Sequence, residues 1–238
     1  MGASRRSALR SWETPVITLS STLHRIYAGA LAVIAWLGLG AQVAQSTEDA
    51  LSEHASIATQ LVDQFSRFSI QTTTLVALVA TIAFIRPRTK SLLLRPSVQA
   101  ALVVYVAVVG VVFEVLLRSD APGLQLVDRV FHGVIPILYL VYWLIFAPKG
   151  NLSMLDPALW LIYPLLFFAY TMVRGEIFGV YLRRIQEIIK HGYGEFFTDA
   201  LAFFAAFLAI GFILVAIDQA FGEWQSRRRS EQGQVPES

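Results

Sequence analysis

The sequence predicts an all-α membrane protein, a polytopic bundle of six transmembrane helices with two amphipathic helices at the outer interface. Hydrophobic residues make up 55% of the 238 residues and charged residues only 15%, whereas soluble domains average about 45–50% and about 25%. Charged residues also divide the chain into six uncharged windows of 17 to 22 residues. A helix needs about 20 apolar residues to cross a bilayer, and long uncharged runs without strict alternation favour helices over a barrel.

The six windows define the predicted spans in chain order. They lie between Arg25 and Glu48, Arg67 and Arg86, Arg95 and Glu114, Arg129 and Lys149, Asp156 and Arg174, and Asp199 and Asp218. A large soluble protein with six buried helices is the alternative, but so short a chain leaves no polar shell to cover them. We therefore expect an N-terminal segment over residues 1–22, a transmembrane domain over 23–222 and a disordered tail over 223–238.

Basic residues predict the orientation of the bundle. Twelve of the nineteen Lys and Arg residues precede the first window, follow the sixth, or lie in the second and fourth connections. Cytoplasmic loops carry the excess of basic residues in membrane proteins. We therefore expect a multi-pass protein of the cell membrane with both termini in the cytoplasm.

Two outer connections are long enough to form helices of their own. In residues 46–66, Ser46 and Thr47 precede two acidic residues, which is typical of a helix start, and apolar residues then recur at helical spacing. Residues 176–191 repeat this pattern against basic and acidic residues. Each stretch predicts an amphipathic helix in the interface, with a helix packed on top of the bundle as the alternative.

Several classes of function are excluded or disfavoured by composition. A net charge of +2 indicates no nucleic-acid partner, and the absence of cysteine excludes thiol nucleophiles and cysteine metal sites. No cofactor or metal is predicted. Haem is disfavoured because His24, His54 and His191 lie outside the windows. A transporter that uses Glu114 and His132 as a proton relay stays open, although the charged candidates lie on one side of the membrane rather than through it.

Polar residues of four windows lie at one predicted depth, near the outer third of the bilayer. Ionisable groups at that depth are costly and are candidates for function. These residues are Ser69, Glu114, Asp128, His132, Tyr170, Arg174 and Glu176.

His132 is the most informative of them, because imidazole can accept and donate a proton near neutral pH. Asp128 precedes it by one helical turn and could orient the ring. Ser69 could be a nucleophile if His132 takes its proton. The alternatives are a histidine that only bonds a neighbouring helix and a serine that only caps its own helix. Glu114 could simply pair with Arg118.

The chain also resembles a family of membrane proteins. The resemblance extends over residues 23–221 and is most specific from Phe131 to Gly175. It is carried by the segments Phe65-Ser66-Arg67-Phe68-Ser69-Ile70-Gln71, His132-Gly133-Val134-Ile135-Pro136, Trp143-Leu144-Ile145-Phe146, Pro148-Lys149-Gly150, Trp160-Leu161-Ile162-Tyr163-Pro164 and Tyr170-Thr171-Met172-Val173-Arg174-Gly175. These look like the bacterial "Pr-six-Pr" six-span proteins, and more distantly like the androgen-induced-gene family, which hydrolyses fatty-acid esters of hydroxy fatty acids.

The resemblance implies a catalytic histidine at His132 and a catalytic hydroxyl at Ser69, where the distant family has threonine. The chain departs from the family in an inserted stretch from Arg183 to Lys190, and only the segment from Tyr193 to Asp199 is similar to the family's ending. Fold similarity does not transfer a substrate.

The sequence thus favours a membrane hydrolase of fatty-acyl or lipid esters. In this hypothesis Ser69 attacks the acyl carbon, His132 accepts its proton and Asp128 orients the ring, while Arg174 holds an anionic carboxylate or headgroup. The partners expected are membrane lipids or fatty-acyl esters. The alternative from a different class is a non-enzymatic lipid-binding or structural membrane protein, in which the same groups form a satisfied polar cluster.

Overall fold

The computed structural model is all-helical over the residues it describes, which are 14–54, 56–87, 89–112, 126–178 and 193–232. The helices are α1 (Thr14–Ser52), α2 (Ile57–Phe65), α3 (Phe68–Ile85), α4 (Pro96–Val112), α5 (Leu126–Arg129), α6 (Ile135–Phe146), α7 (Asp156–Trp160), α8 (Ile162–Phe178) and α9 (Tyr193–Gln232). A 3-10 turn over Leu92–Leu94 precedes α4, and a π-helical turn over Val130–Val134 joins α5 to α6.

Within the described ranges, five helical segments are long and apolar enough to cross a membrane. They are Ser21–Ser52, Phe68–Ile85, Val127–Phe146, Asp156–Ile177 and Ala200–Arg228. These coincide with five of the six predicted windows, so the prediction of a helical protein with several helices able to span a membrane is confirmed. The remaining window corresponds to α4, a shorter apolar helix of 17 described residues. The count of six spans therefore stays a prediction.

The two ends of the bundle are distinguished by which helix ends meet there. At one end, the start of α1 meets the ends of α3 and α6: Arg25 Nε donates to Phe84 O at 3.1 Å, and His24 stacks on Phe146. We name this the terminal end, because α1 begins and α9 ends there. At the opposite, distal end, α8 ends beside α2 and the start of α3, where Tyr170 and Ser66 are hydrogen-bonded.

Small residues let α1 and α3 pack together in the most extensive helix pairing among the described residues. The contact is so tight at Gly29 that a Cβ added there would lie 3.0 Å from the Phe84 ring. Small side chains are the usual means by which membrane helices approach, because lipid supplies no hydrophobic force between them. The fully buried small residues of the pair are Ala28, Ala35, Ala77, Ala80 and Ala83.

An aromatic cluster joins four helices below the start of α3. The Phe68 ring lies within 5.0–6.2 Å, centroid to centroid, of one ring from α4, two from α8 and one from α9. Aromatic pairs at these distances, mostly tilted or edge-to-face, add about 0.5–1.5 kcal/mol beyond burial. These four rings belong to Tyr105, Tyr163, Phe167 and Phe207. The cluster fixes the first turn of α3, which carries Ser69, against the rest of the bundle.

Two boundaries differ from the sequence predictions. No helix begins at Ser46 and Thr47, because α1 continues through them to Ser52 and the Thr47 hydroxyl donates to Val43 O, one turn back, at 2.8 Å. Of the first predicted amphipathic stretch, residues 46–66, only α2 forms a separate helix in the described structure. The second predicted one extends into residues 179–192, outside the described part of the chain.

The second difference concerns the predicted disordered tail, because α9 continues to Gln232. No proline or glycine interrupts the stretch from Glu223 to Gln232, and glycine or proline would be the usual break. Two contacts along the helix surface support it: Arg227 pairs with Glu223 at 3.8 Å and the Arg228 guanidinium lies 4.1 Å from the Trp224 ring centre.

Candidate functional site

His132 lies in the middle of the π-helical turn at the distal end. A π turn widens the backbone by one residue and leaves the regular ladder of hydrogen bonds, so it occurs mostly where a side chain must take a special position. Pro136 follows near the start of α6, where a proline can be accommodated. The local sequence thus places the imidazole where the helix is irregular.

The hydrogen bond of the His132 ring defines its neutral form. Nδ1 lies 2.9 Å from the main-chain carbonyl oxygen of Asp128, which can only accept a hydrogen bond. Nδ1 must therefore carry the proton, and Nε2 is the nitrogen with the lone pair. Asp128 contributes to this arrangement through its backbone, whereas the sequence predicted a role for its carboxylate.

The backbone around His132 is held closely by α4. A Cβ added at Gly110 would lie 2.9 Å from the carbonyl oxygen of His132. Only a glycine permits this approach without moving the π turn, because the neighbouring atom is backbone and cannot rotate away. Gly110 is therefore a positioning residue that the sequence analysis missed. The feature of the sequence that could have indicated this role is an isolated glycine inside an apolar helix.

Ser69 lies in the first turn of α3 and is partly buried. The hydroxyls of Thr72 and Thr74 donate to carbonyls of the preceding turn, at 2.9 and 2.8 Å, as such residues usually do in membrane helices. Among the described residues, Ser69 Oγ makes no such bond, nor one to His132. The helix α3 packs against the π turn, so the two residues belong to neighbouring elements at the distal end.

Arg174 and Tyr170 contact the junction between α2 and α3. Arg174 forms an ion pair and hydrogen bond with Asp63, and the Tyr170 and Ser66 hydroxyls lie 2.9 Å apart. These contacts make a second polar cluster, which we name the α8 latch and define by these four residues. Arg174, which the sequence predicts to hold an anionic headgroup, is thus paired with an acidic residue of the first outer connection.

The predicted site residues therefore fall into two groups rather than one constellation. Asp128 of α5 and His132 of the π turn form one group, with Ser69 on the neighbouring α3, and Tyr170 and Arg174 belong to the α8 latch. Glu176 is exposed near the end of α8, and Glu114 lies outside the described residues.

A further polar cluster, at the terminal end, was absent from the predictions. Asp218 of α9 is fully buried. Its Oδ2 accepts the backbone N–H groups of Asn151 and Leu152 at 2.8 and 2.9 Å, and its carbonyl accepts the N–H of Gly150 at 3.1 Å. In the sequence, Asp218 marks only the boundary of a window. Its bonding partners could not be predicted, because they lie 66 and 67 residues away along the chain.

The neighbouring loop places a cation beside this carboxylate. Lys149 Nζ donates to the carbonyls of Trp143 and Ala147 and lies 3.8 Å from the Trp143 ring centre. Burial lowers the pKa of Lys149 to about 8, against the opposing effect of the Asp218 charge. The two groups form no ion pair within the described structure. Together they dock the connection between α6 and α7 on the end of α9.

The comparisons with known proteins give no assignment: no protein-family model matches the chain, and neither a curated protein nor a solved structure matches it. The family resemblance therefore stays a prediction. Among the described residues, no group of His, Asp and Glu side chains could hold a metal ion. The class defined by fold and composition is a protein with several helices able to cross a membrane.

Proposed function

We propose that the chain is an integral membrane hydrolase of fatty-acyl or lipid esters, with His132 as the general base and Ser69 as the nucleophile. The observation that carries the proposal is the π turn at His132, where the bond from Nδ1 to the Asp128 carbonyl puts the lone pair of the neutral ring on Nε2. A base in that tautomer can accept a hydroxyl proton.

The nucleophile is assigned by comparing the hydroxyls of the neighbouring helix. Thr72 and Thr74 direct their hydroxyls to their own backbone. Thr73 is buried at 2% exposure, whereas Ser69 is partly exposed in the first turn of α3 and is the better candidate. An alcohol is a weak nucleophile until a base removes its proton. The proposal therefore requires Ser69 and His132 to approach within hydrogen-bond distance when substrate binds, as catalytic contacts often tighten in the complex.

The proposed reaction has two halves. Ser69 Oγ attacks the ester carbon while its proton moves to His132 Nε2, and the alcohol leaves with that proton to give an acyl-serine. Water then attacks the acyl carbon and gives a proton to His132, which passes it to Ser69 Oγ as the acyl–Oγ bond breaks and the fatty acid leaves. The orientation of His132 by the Asp128 carbonyl serves both halves.

The α8 latch supports a role in admission of substrate. The Arg174 guanidinium is paired with Asp63, so an anionic headgroup would have to compete with this carboxylate for the same donors. We expect the latch to open when such a substrate enters beside α2. In the same proposal, the site lies near the outer face of the membrane and both termini lie in the cytoplasm.

The test is labelling of native membranes with a serine-directed fluorophosphonate. We expect labelling of the wild type and its loss in Ser69→Ala and His132→Ala. Thr74→Val is the matched hydroxyl control and His24→Ala the matched histidine control, because both side chains are bonded elsewhere in the bundle. Labelling that survives in both Ser69→Ala and His132→Ala, or an unlabelled wild type, would refute the hydrolase.

A non-enzymatic lipid-binding protein is the second candidate, and the α8 latch is the observation that favours it. In each of its two pairs, the side chains bond each other without substrate. This is expected of a polar cluster whose role is to join helices. Under this alternative His132→Ala lowers stability in detergent but removes no chemistry.

A further inference from the structure

The terminal end of the bundle carries an open cleft of about 850 Å³ where the loop after α6 meets α9. Two glycines form its floor: a Cβ at Gly222 would lie 2.5 Å from Gly150 Cα, and Gly150 itself has φ +77. No side chain can fill this point of contact, because the two backbones touch. The cleft is therefore a consequence of the backbone crossing.

Lys149 and Glu223 both line this cleft, so it offers a cation and a carboxylate. The Lys149 ammonium has three donors, of which two bond the carbonyls at the end of α6. Its third donor has no acceptor among the described residues. Glu223 is largely exposed and pairs only with exposed Arg227 at 3.8 Å, a pair of the kind that contributes little.

The position of the cleft indicates an amphiphile. It lies where the candidate spans of α6 and α9 end, at Phe146 and Arg228. The exposed Trp224 lies beside Glu223 on α9, and tryptophan is enriched where lipid headgroups begin. A molecule bound here has its charged part between Lys149 and Glu223 and its apolar part beside the membrane.

We propose that this cleft binds the headgroup of a phospholipid with a primary amine, a phosphoethanolamine group. The phosphate accepts the third N–H of Lys149, and the ammonium group donates to the Glu223 carboxylate. A quaternary choline cannot donate to Glu223, and a glycerol headgroup has no cation for it. This site uses none of the residues of the proposed hydrolase.

The experiment is a titration of the purified full-length protein in detergent, followed by native mass spectrometry. The probes are phosphatidylethanolamine, phosphatidylcholine and phosphatidylglycerol with identical acyl chains. We expect the wild type to bind phosphatidylethanolamine at least about fivefold more tightly than the other two. Lys149→Gln should weaken phosphatidylethanolamine binding by about tenfold, which is typical of the loss of one charge-assisted hydrogen bond.

The variants separate the two contacts. Glu223→Gln should keep binding but lose the preference for phosphatidylethanolamine over phosphatidylcholine. Because Glu223 is exposed, this variant tests the site even where Lys149→Gln does not fold. Lys90→Gln is the matched control: it removes an exposed lysine near the end of α3 and should leave all three affinities unchanged.

Several results would overturn the proposal. They are equal binding of the three lipids by the wild type, an unchanged preference in Glu223→Gln, or an equal loss in Lys90→Gln, which would indicate non-specific attraction. Displacement of the lipid by glycerophosphoethanolamine at the same concentration would identify a water-soluble ligand instead of a membrane lipid.

Discussion

Replacement of Gly222 by alanine tests the backbone crossing that docks the α6–α7 loop on α9. The new Cβ would lie 2.5 Å from Gly150 Cα, whereas carbon atoms pack at about 3.5–4.0 Å. The loop must therefore retreat by about 1 Å. Such a shift lengthens the Asp218 Oδ2 bonds to Asn151 and Leu152 from 2.8 and 2.9 Å past the usual limit of about 3.2 Å.

The expected cost follows from these terms. Overpacking against backbone costs about 1–3 kcal/mol, and each weakened bond to a charged acceptor costs about 1 kcal/mol or more. Alanine in a helix recovers about 1 kcal/mol relative to glycine. We therefore expect Gly222→Ala to lower the free energy of unfolding by about 3 kcal/mol.

The assay is equilibrium unfolding of the purified protein in mixed micelles, followed by tryptophan fluorescence. Gly40→Ala is the matched control, because Gly40 is also helical and a Cβ there would meet nothing within 4 Å. We expect it to be neutral or more stable by up to about 1 kcal/mol. A Gly222→Ala protein within about 0.5 kcal/mol of Gly40→Ala would refute the reasoning.

Three further predictions concern the other polar groups. In Gly110→Ala, the new Cβ would lie 2.9 Å from the His132 carbonyl oxygen and should displace it. We expect fluorophosphonate labelling to fall at least about tenfold while the protein stays folded. Unchanged labelling would contradict the positioning role. For Lys149, the pKa is lowered from 10.5 to about 8, so between these values the unfolded chain binds more protons and the free energy of unfolding should rise with pH. A Lys149→Met variant should lose that rise across pH 8 to 10.5, measured by unfolding at each pH, and an equal rise in both proteins would assign it to other groups. Arg174→Gln and Asp63→Asn should each destabilise the protein, with a coupling of about 1 kcal/mol in a double-mutant cycle, because Asp63 is about one-third exposed; additive effects would show that the pair contributes nothing.

The predicted site was only partly accessible from sequence. Depth along a span can be read from distance to the nearest charged residue, and this reading placed His132 and Arg174 toward the ends of their helices. It could not find that Arg174 pairs with Asp63, because the two are 111 residues apart and many acidic residues of the outer connections were equally possible partners. The hydrogen bond from His132 to the Asp128 carbonyl could not be predicted either. A spacing of four residues places Asp128 one helical turn away, but it does not show whether the carboxylate or the main-chain carbonyl is the acceptor.

The all-helical class and the positions of five apolar helices long enough to cross a membrane were predictable from the sequence alone. Hydrophobic length and the cost of unpaired backbone groups in lipid act along the chain, so they can be read locally. Three features could be seen only in the folded chain: α1 continues through Thr47, Gly150 contacts Gly222, and Asp218 is buried beneath the loop whose N–H groups it accepts. These depend on which helix faces which, and helix packing in lipid is set by close contacts of small residues and individual hydrogen bonds, which hydropathy does not record.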